Sequence, residues 1–277
     1  MAGLQELRKR LRSIRSTGQL AGAMRTAATA KYARLNRVRG DFSPYAQACE
    51  DMLRHLGGSG IRRETEEIRR RDAVVLMSSN RGLCGGFNAE FLRFAEPLLR
   101  GEAQSTLLLV GGRHTAGALR ELGFTPEEFP LSDVPAYGEI HAIAERAKAL
   151  YTSGKAESVL VLYQRFQNMM LQIPARQQLL PEEGAAAGAG EPPLLLPDAD
   201  TIRAGLGESD MEGRIYSLAL ENAAGAQAAT VMAMRSAGEN AQNTARELEL
   251  TINRRRQAGV TASVIETASG ANQGEIP

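Results

Sequence analysis

The feature that most limits the fold of this chain is a repeat of apolar residues at its N-terminal end. From Leu4 to Leu56 the apolar positions advance by three and four residues. The members of the repeat are Leu4, Leu7, Leu11, Ile14, Gly18, Ala21, Met24 or Arg25, Ala28, Tyr32, Leu35, Phe42, Ala46, Cys49, Leu53 and Leu56. Such a long repeat is typical of a coiled coil. About fifty residues of helix would be roughly 80 Å long, so most of this apolar stripe needs a helical partner.

A second apolar stripe, thinner and richer in alanine, supplies that partner within the same chain. It lies between about Asp210 and Gly270, and its members are Ile215, Leu218, Met232, Met234, Ala241, Ala245, Leu248 and Ile252. Small residues allow two helix axes to approach closely. We therefore predict an antiparallel two-helix coiled coil formed by residues 1–57 and residues 207–272.

The last turns of the C-terminal helix extend beyond the strong part of the first stripe. From Gln257 through Val260 and Val264 they carry almost no charge until Glu275. A helix end with so little charge does not stand alone in water, which suggests that another protein encloses it.

Composition limits the class of protein. The net charge is +1 and charged residues make up 23% of the chain, as in ordinary globular proteins. The apolar runs, such as Leu107–Val110, are too short to span a membrane. Charges from Glu6 and Arg8 onward leave no apolar core for a secretory signal. Two cysteines, Cys49 and Cys84, are too few for a disulfide framework. We therefore expect a cytoplasmic compartment.

Positive charge is concentrated in the first forty residues, where Glu6 is the single acid. The basic residues there are Arg8, Lys9, Arg10, Arg12, Arg15, Arg25, Lys31, Arg34, Arg37 and Arg39. Such an excess predicts an acidic protein partner, nucleic acid or a solvated face. Tyr32 is the single aromatic residue in this stretch, which favours the acidic protein surface. A basic coiled-coil nucleic-acid binder stays an alternative.

Between residues 72 and 193 the periodicity changes, and short strands alternate with helices. The predicted strands are Ala73–Met77, Leu107–Val110 and Ser158–Tyr163, and the predicted helices are Ala89–Leu99, Thr115–Leu122 and Ile140–Leu150. This order predicts a Rossmann-like α/β domain with a parallel or mixed sheet. A last strand, Met170–Leu180, is predicted to return antiparallel beside Ser158–Phe166. Residues Pro181–Pro193, rich in Gly, Ala and Pro, are predicted to form a flexible surface loop.

A glycine-rich segment, Ser78–Asn88, lies between the first strand and the first helix of this domain, where phosphates often bind. Its candidate functional residues are Arg81, Gly82, Leu83, Cys84, Gly85 and Gly86. The segment matches neither Walker A, which needs Gly-Lys-Ser/Thr, nor G-x-G-x-x-G. Its glycines also suit a tight strand-to-helix connection with Asn88 as N-cap. A stand-alone nucleotide-binding enzyme therefore stays an alternative.

Other catalytic motifs are missing. The sequence contains no H-E-x-x-H, C-x-x-C or G-x-S-x-G. His55, His114 and His141 are far apart and are more typical of surface or packing positions than of metal ligands. The sequence therefore predicts no catalytic residue, no cofactor and no metal site.

Three separated motifs resemble one known family. Ser78–Asn88 resembles the signature S-[ST]-D-R-G-L-C-G-G-x-N of the gamma subunit of F-type ATP synthase. Ile14–Lys31 and Phe42–Tyr45 are similar to the N-terminal helix of that family, and Val231–Ala241 and Leu250–Thr261 are similar to its C-terminal helix. The motifs stand in the family's order, and the resemblance spans nearly the whole chain.

The resemblance implies a non-catalytic rotor, the central stalk of a bacterial ATP synthase. Its partners would be the alpha and beta subunits of the catalytic ring, the epsilon subunit and the membrane c-ring. Rotation would couple ion flow through the c-ring to ATP synthesis or hydrolysis. The implied location is peripheral, on the cytoplasmic side of the cell membrane, with no cofactor and no nucleic acid.

The resemblance also implies two sets of contact residues. The rotor–stator contacts would be Arg256, Gln257, Met24, Val260 and Val264. Arg256 and Gln257 match an Arg-Gln pair that meets a loop of a catalytic subunit. A basic stripe, defined as Arg8, Arg12, Arg15 and Arg34, would face acidic segments of the catalytic subunits.

The chain departs from the family pattern at two places. Asn80 stands where the family usually has aspartate, which keeps the turn but weakens an ion pair made there. Leu194–Pro197 stands where relatives have a Tyr-Glu-Pro stretch that helps to form the foot on the membrane ring.

Overall fold

The computed structural model describes residues 2–64, 71–101, 107–182 and 198–273. In chain order the elements are α1 (Ala2–Leu56), β1 (Asp72–Met77), α2 (Phe87–Gly101), β2 (Leu107–Gly111), α3 (Arg113–Glu121), β3 (Glu127–Phe129), α4 (Tyr137–Thr152), β4 (Ser158–Phe166), β5 (Gln172–Leu180) and α5 (Ala199–Gln273). Two compact units result: unit 1 holds residues 1–26 and 233–277, and unit 2 holds residues 27–232. The predicted loop beyond Glu182 and the segment Leu194–Pro197 lie outside the described residues.

Unit 2 is built on a five-stranded sheet in the order β3-β2-β1-β4-β5. Strands β1 to β4 are parallel, and β5 runs antiparallel to β4, which confirms the predicted return strand. The mixed sheet between two long terminal helices confirms the predicted fold class. Strand β3 was not predicted, because its three mostly exposed residues carry no periodic signal.

Helices cover both faces of this sheet. Alternate residues of a strand point to opposite faces, so neighbouring residues of β1 pack against different helices. Val74 and Leu76 of β1 belong to a cluster with residues of α2 and α3. Ala73, Val75 and Met77 belong to the opposite cluster, which contains residues of α4, α1 and α5. Burial on both sides explains why β1 is a continuous apolar run.

Helix α5 begins at Ala199, earlier than the predicted residue 207. Asp198 precedes its first turn, and its Oδ1 accepts a hydrogen bond from the backbone N–H of Thr201 at 2.8 Å. The backbone and side-chain hydrogen bonds from Thr201 lower the pKa of Asp198. Asp198 is therefore an N-cap, which satisfies a free N–H at the helix start.

In unit 1, the N-terminal part of α1 packs on the C-terminal part of α5. The apolar cluster contains Leu4, Leu7, Leu11, Ile14, Ala245, Leu248 and Ile252. Arg15 forms an ion pair with Glu249, and a Cβ added to Gly18 would lie 3.3 Å from the Cβ of Ala241. Residue numbers rise along α1 as they fall along α5, which confirms the antiparallel pairing. Small residues allow the close approach.

The two terminal helices are long enough to cross a lipid bilayer, since α1 has 55 residues and α5 has 75. Over the described ranges, however, neither of them nor any other helix is apolar enough to be a membrane span.

Asp210 is a buried acid on α5, with 5% of its surface exposed. Burial raises its pKa to about 6, and the nearby charges of Glu182 and Glu50 act in the same direction. Arg214 opposes this shift, because its Nη1 lies 3.7 Å from Asp210 Oδ2. The folded chain therefore keeps a proton on Asp210 at a pH where the unfolded chain has lost it.

We predict that Asp210→Asn changes how stability depends on pH. In the parent, the free energy of unfolding should fall as pH rises from the ordinary value of 3.8 to about 6, because the folded state binds more protons. The amide cannot ionise, so the variant should lack this fall and gain about 1–3 kcal/mol at pH 7. Urea unfolding of parent and variant at several pH values checks this, with exposed Asp41→Asn as control. A difference in unfolding free energy between parent and variant that stays constant with pH would contradict this prediction.

Candidate functional site

The glycine-rich segment lies at the carboxyl edge of the sheet, beside the point where the strand order reverses. The chain passes from β1 to β2 and β3 on one side, and then crosses to β4 on the other side of β1. In open α/β sheets, ligands bind in the crevice at such a reversal.

In this chain, protein side chains fill the crevice. Gln164 of β4 is fully buried, and its Nε2 donates a hydrogen bond to the carbonyl oxygen of Phe87. The backbone N–H of Gln164 donates to Oδ1 of Asn222 on α5 at 3.1 Å. Cys84 and Phe87 pack on Ala226, also on α5. Helix α5 therefore packs directly against the glycine-rich segment.

Asn88 makes hydrogen bonds across the inside of the turn formed by the glycine-rich segment. Its Oδ1 lies 2.7 Å from the hydroxyl of Ser79, and its Nδ2 donates to the carbonyl oxygen of Arg81 at 3.2 Å. Helix α2 begins at Phe87, so the predicted role of Asn88 as N-cap is wrong. The amide is only 5% exposed, and its bonding groups are used across the turn rather than at the helix start.

The segment presents two side chains to solvent. The side chain of Arg81 is 78% exposed, and Leu83 is 62% exposed. Leu83 has φ 64, in the left-handed region that non-glycine residues rarely adopt, and Gly85 has φ 61. Cys84 between them is buried. An exposed leucine held in a strained conformation indicates a contact surface rather than a folding requirement.

The other two glycines of the segment make different demands. A Cβ added to Gly82 would meet no atom within 4 Å, so space does not require glycine there. A Cβ added to Gly86 would lie 2.8 Å from Oε1 of Glu90, a flexible side chain that could move.

Among the described residues, no group of three or more His, Cys, Asp or Glu side chains could hold a metal ion.

Asn80 joins the segment to two neighbouring parts of unit 2. Its Nδ2 donates to the carbonyl oxygen of Leu131 at 2.6 Å and lies 3.4 Å from Asp133 Oδ1. Its Oδ1 accepts from the backbone N–H of Arg113, the first residue of α3, at 3.4 Å. An amide can serve both contacts because it carries a donor and an acceptor.

Asp133 also accepts a hydrogen bond from Lys31 of α1, with 2.5 Å between Nζ and Oδ2. Burial acts to raise the pKa of Asp133, but the hydrogen bonds from Lys31 and Asn80 and the charge of Lys31 outweigh it and lower the pKa. Sequence reasoning missed this pair. Lys31 entered only as one of many basic residues and as the last residue of a family motif, and no motif contains Asp133.

The predicted rotor–stator residues lie at two levels of unit 1. All residues from Asn253 to Ile265 are exposed, including Arg256, Gln257, Val260 and Val264, which lie on consecutive turns of α5. Met24 is half-buried on α1. Because Gly18 is level with Ala241, helical rise separates Met24 from Arg256 by about 30 Å. The five residues therefore do not form one site.

The members of the basic stripe are all exposed on α1. Arg15 is paired with Glu249 in unit 1, whereas Arg34 belongs to unit 2. Exposed ion pairs contribute little to stability, so Arg15 can exchange Glu249 for another acidic group at small cost.

Comparison with known proteins gives concordant matches. A family model described as ATP synthase matches residues 3–273. An ATP synthase gamma chain of Rubrobacter xylanophilus is 30% identical, over 98% of each chain. One of Chlorobaculum parvum is 32% identical, over 98% of this chain and 99% of its own.

Two solved structures share the fold. A chain of the Euglena gracilis mitochondrial ATP synthase (OSCP/F1/c-ring, rotational state 3) covers 100% of this chain, which covers 97% of it, with 17% identity and a TM-score of 0.74. A chain of the Tetrahymena thermophila central stalk/c-ring covers 79% of this chain, which covers 99% of it, with 20% identity and a TM-score of 0.63.

We predict opposite effects for two substitutions in the glycine-rich segment. Leu83→Gly should raise the free energy of unfolding by about 0.5–1 kcal/mol, because it removes a side chain from a left-handed conformation. Gly85→Ala should lower it by about 1 kcal/mol, because it introduces a side chain into one. Parallel urea unfolding curves measure both. A shift of the same sign for the two variants would show that the backbone conformation does not control the effect.

Proposed function

The chain belongs to the ATP synthase gamma chain family, and from that premise we propose how its two units act in the rotor. Its function is that of the central stalk, a non-catalytic subunit that couples ion flow to ATP synthesis or hydrolysis by rotation. In our proposal, unit 1 turns inside the catalytic ring of alpha and beta subunits. Unit 2 contacts the epsilon subunit and the c-ring.

The exposed end of α5 is the observation that carries the proposal for unit 1. Ile252 is the last buried residue of α5 among those with described side chains. Val260, Val264 and Ile265 follow it with 60%, 62% and 60% of their surfaces exposed. Apolar side chains repeated on successive turns and left in water are typical of a surface that a partner covers. We assign that partner role to an apolar sleeve of the catalytic ring.

The basic stripe supplies the second contact in this proposal. Arg8, Arg12 and Arg34 are exposed on α1, and the surrounding sequence offers almost no acid to neutralise them. Complementary charge on the beta subunits would hold these guanidinium groups without a fixed geometry. Such contacts can be released and remade as the stalk turns.

In this proposal, the asymmetry of the stalk couples its rotation to nucleotide binding in the catalytic subunits. A stalk with different faces stabilises a different conformation in each catalytic subunit, and nucleotide affinity follows conformation. About 1.4 kcal/mol of differential contact changes affinity tenfold. The same linkage lets nucleotide binding drive the stalk.

The proposed location of the chain is peripheral, on the cytoplasmic side of the cell membrane. Attachment would come through the c-ring. The family membership supports this assignment, and the described helices provide no membrane span of their own.

We predict that Arg256→Ala combined with Gln257→Ala lowers coupling without lowering stability. Both side chains are exposed beyond Ile252, so no contact with α1 is lost. A guanidinium group can hold a carboxylate through two parallel hydrogen bonds, which the variant cannot replace. ATP-driven rotation or ATP synthesis by the assembled complex should therefore fall, while thermal unfolding of the free chain stays the same.

Arg246→Ala is the matched control, because Arg246 is also exposed on α5 but lies level with the packed cluster of unit 1. It should couple like the parent. If the double variant also couples like the parent, Arg256 and Gln257 form only a solvated collar.

A further inference from the structure

We propose that Lys31, Asp133 and Asn80 form a latch that fixes the glycine-rich segment to helix α1. The inference rests on the proposed rotor function and deepens it. With the latch closed, Arg81 and Leu83 would move together with helix α1 and push on a partner. With the latch open, Arg81 and Leu83 would be displaced by that partner instead of pushing it.

The latch is a chain of polar contacts from the helix to the segment, and the contact at its α1 end is the shortest. Lys31 Nζ lies 2.5 Å from Asp133 Oδ2, and Asp133 Oδ1 lies 3.4 Å from Asn80 Nδ2. Arg81, the next residue, has its Nε 4.0 Å from Asp133 Oδ2. Asp133 therefore contacts Lys31 of α1 on one side and Asn80 and Arg81 of the segment on the other. Through these contacts a displacement of α1 would displace the segment.

Partial burial makes this ion pair stronger than an ordinary surface pair. Only 20% of the Asp133 side chain and 36% of the Lys31 side chain are exposed. Water screens such a pair less than it screens two fully exposed charges. Breaking it would leave a carboxylate of low exposure with one partner fewer, which opposes opening.

Asn80 suits the latch because its amide has both a donor and an acceptor. Oδ1 accepts from the N–H of Arg113 at the start of α3, and Nδ2 donates to the carbonyl oxygen of Leu131. An aspartate could keep the first contact only. It would also place a second carboxylate beside Asp133 and an oxygen against the oxygen of Leu131. With the acid at position 133, the neutral amide at position 80 is what the site requires.

The first test measures opening of the segment in the isolated chain, through the rate at which an alkylating reagent modifies the buried thiol of Cys84. Mass spectrometry of the peptides separates Cys84 from Cys49, which is also buried. Asn80→Ala and Asn80→Asp should raise the Cys84 rate about tenfold, because each leaves a hydrogen-bonding group unpaired. Asn36→Asp, an exposed position on α1, is the matched control and should keep the parent rate. Parent-like rates in both Asn80 variants would overturn the proposal.

The second test measures coupling in the assembled complex, as the ratio of ATP-driven ion transport to ATP hydrolysis in membrane vesicles. Lys31→Met should lower this ratio about twofold or more, and Lys31→Arg should restore it. Lys155→Met removes an exposed lysine from the loop before β4 and should keep the parent ratio. A parent ratio in Lys31→Met would overturn the latch.

The two tests distinguish the latch from the rotor function. If Lys31→Met keeps the parent ratio while the Arg256 and Gln257 double variant loses coupling, the latch is wrong and the rotor function stands. If the chain does not join a complex of alpha and beta subunits, the proposed function itself fails. The Cys84 result in the isolated chain then still decides whether Asn80 holds the segment closed.

Discussion

The packing of α5 against the sheet of unit 2 is the interaction on which the remaining structure depends. Ile215, Ala219 and Ala224 are each at most 2% exposed, and they cover one face of the strands. Burial of each large apolar side chain contributes about 1.5–3 kcal/mol. Alanines bring the helix close enough for Asn222 to reach the backbone of Gln164. The same contact that stabilises the domain therefore fills the crevice where related folds bind ligands.

The packing of α5 at this edge explains why a fold that often binds nucleotides can serve a mechanical role. The carboxyl edge of the sheet keeps its glycine-rich connection, but α5 packs against it through Asn222 and Ala226. What the edge still presents is a surface, with Arg81 and Leu83 held outward on a backbone that Asn88 and Asn80 fix from within. A rigid projection is useful to a rotor, since a soft one would absorb displacement instead of passing it on.

Local periodicity made most of the fold predictable. The stripes on α1 and α5 and the alternation of strands and helices are short-range signals, and they predicted the antiparallel helix pair and the mixed sheet with its antiparallel last strand. The structure also decides between Met24 and Arg25 in the repeat, because Met24 is half-buried and Arg25 is exposed. Helix α1 continues through Pro44, because the neighbouring packing outweighs one lost hydrogen bond.

Contacts distant in sequence were not predictable. The bond between Asn80 and Leu131 and the pair of Lys31 and Asp133 join residues far apart in the chain, so no spacing rule indicates them. The role of Asn88 depends on the shape of the turn around it. Contacts of Arg256, Gln257 and Val264 with other subunits depend on chains that this sequence does not contain, so they stay predictions.

The exposed valines at the end of α5 also affect the life of the chain before assembly. A helix end without tertiary cover frays, and a frayed apolar segment is a substrate for proteases and a site for aggregation. In the proposed assembly, a newly made chain that inserts this end into the catalytic ring becomes protected, whereas one that finds no ring keeps the end exposed to proteases.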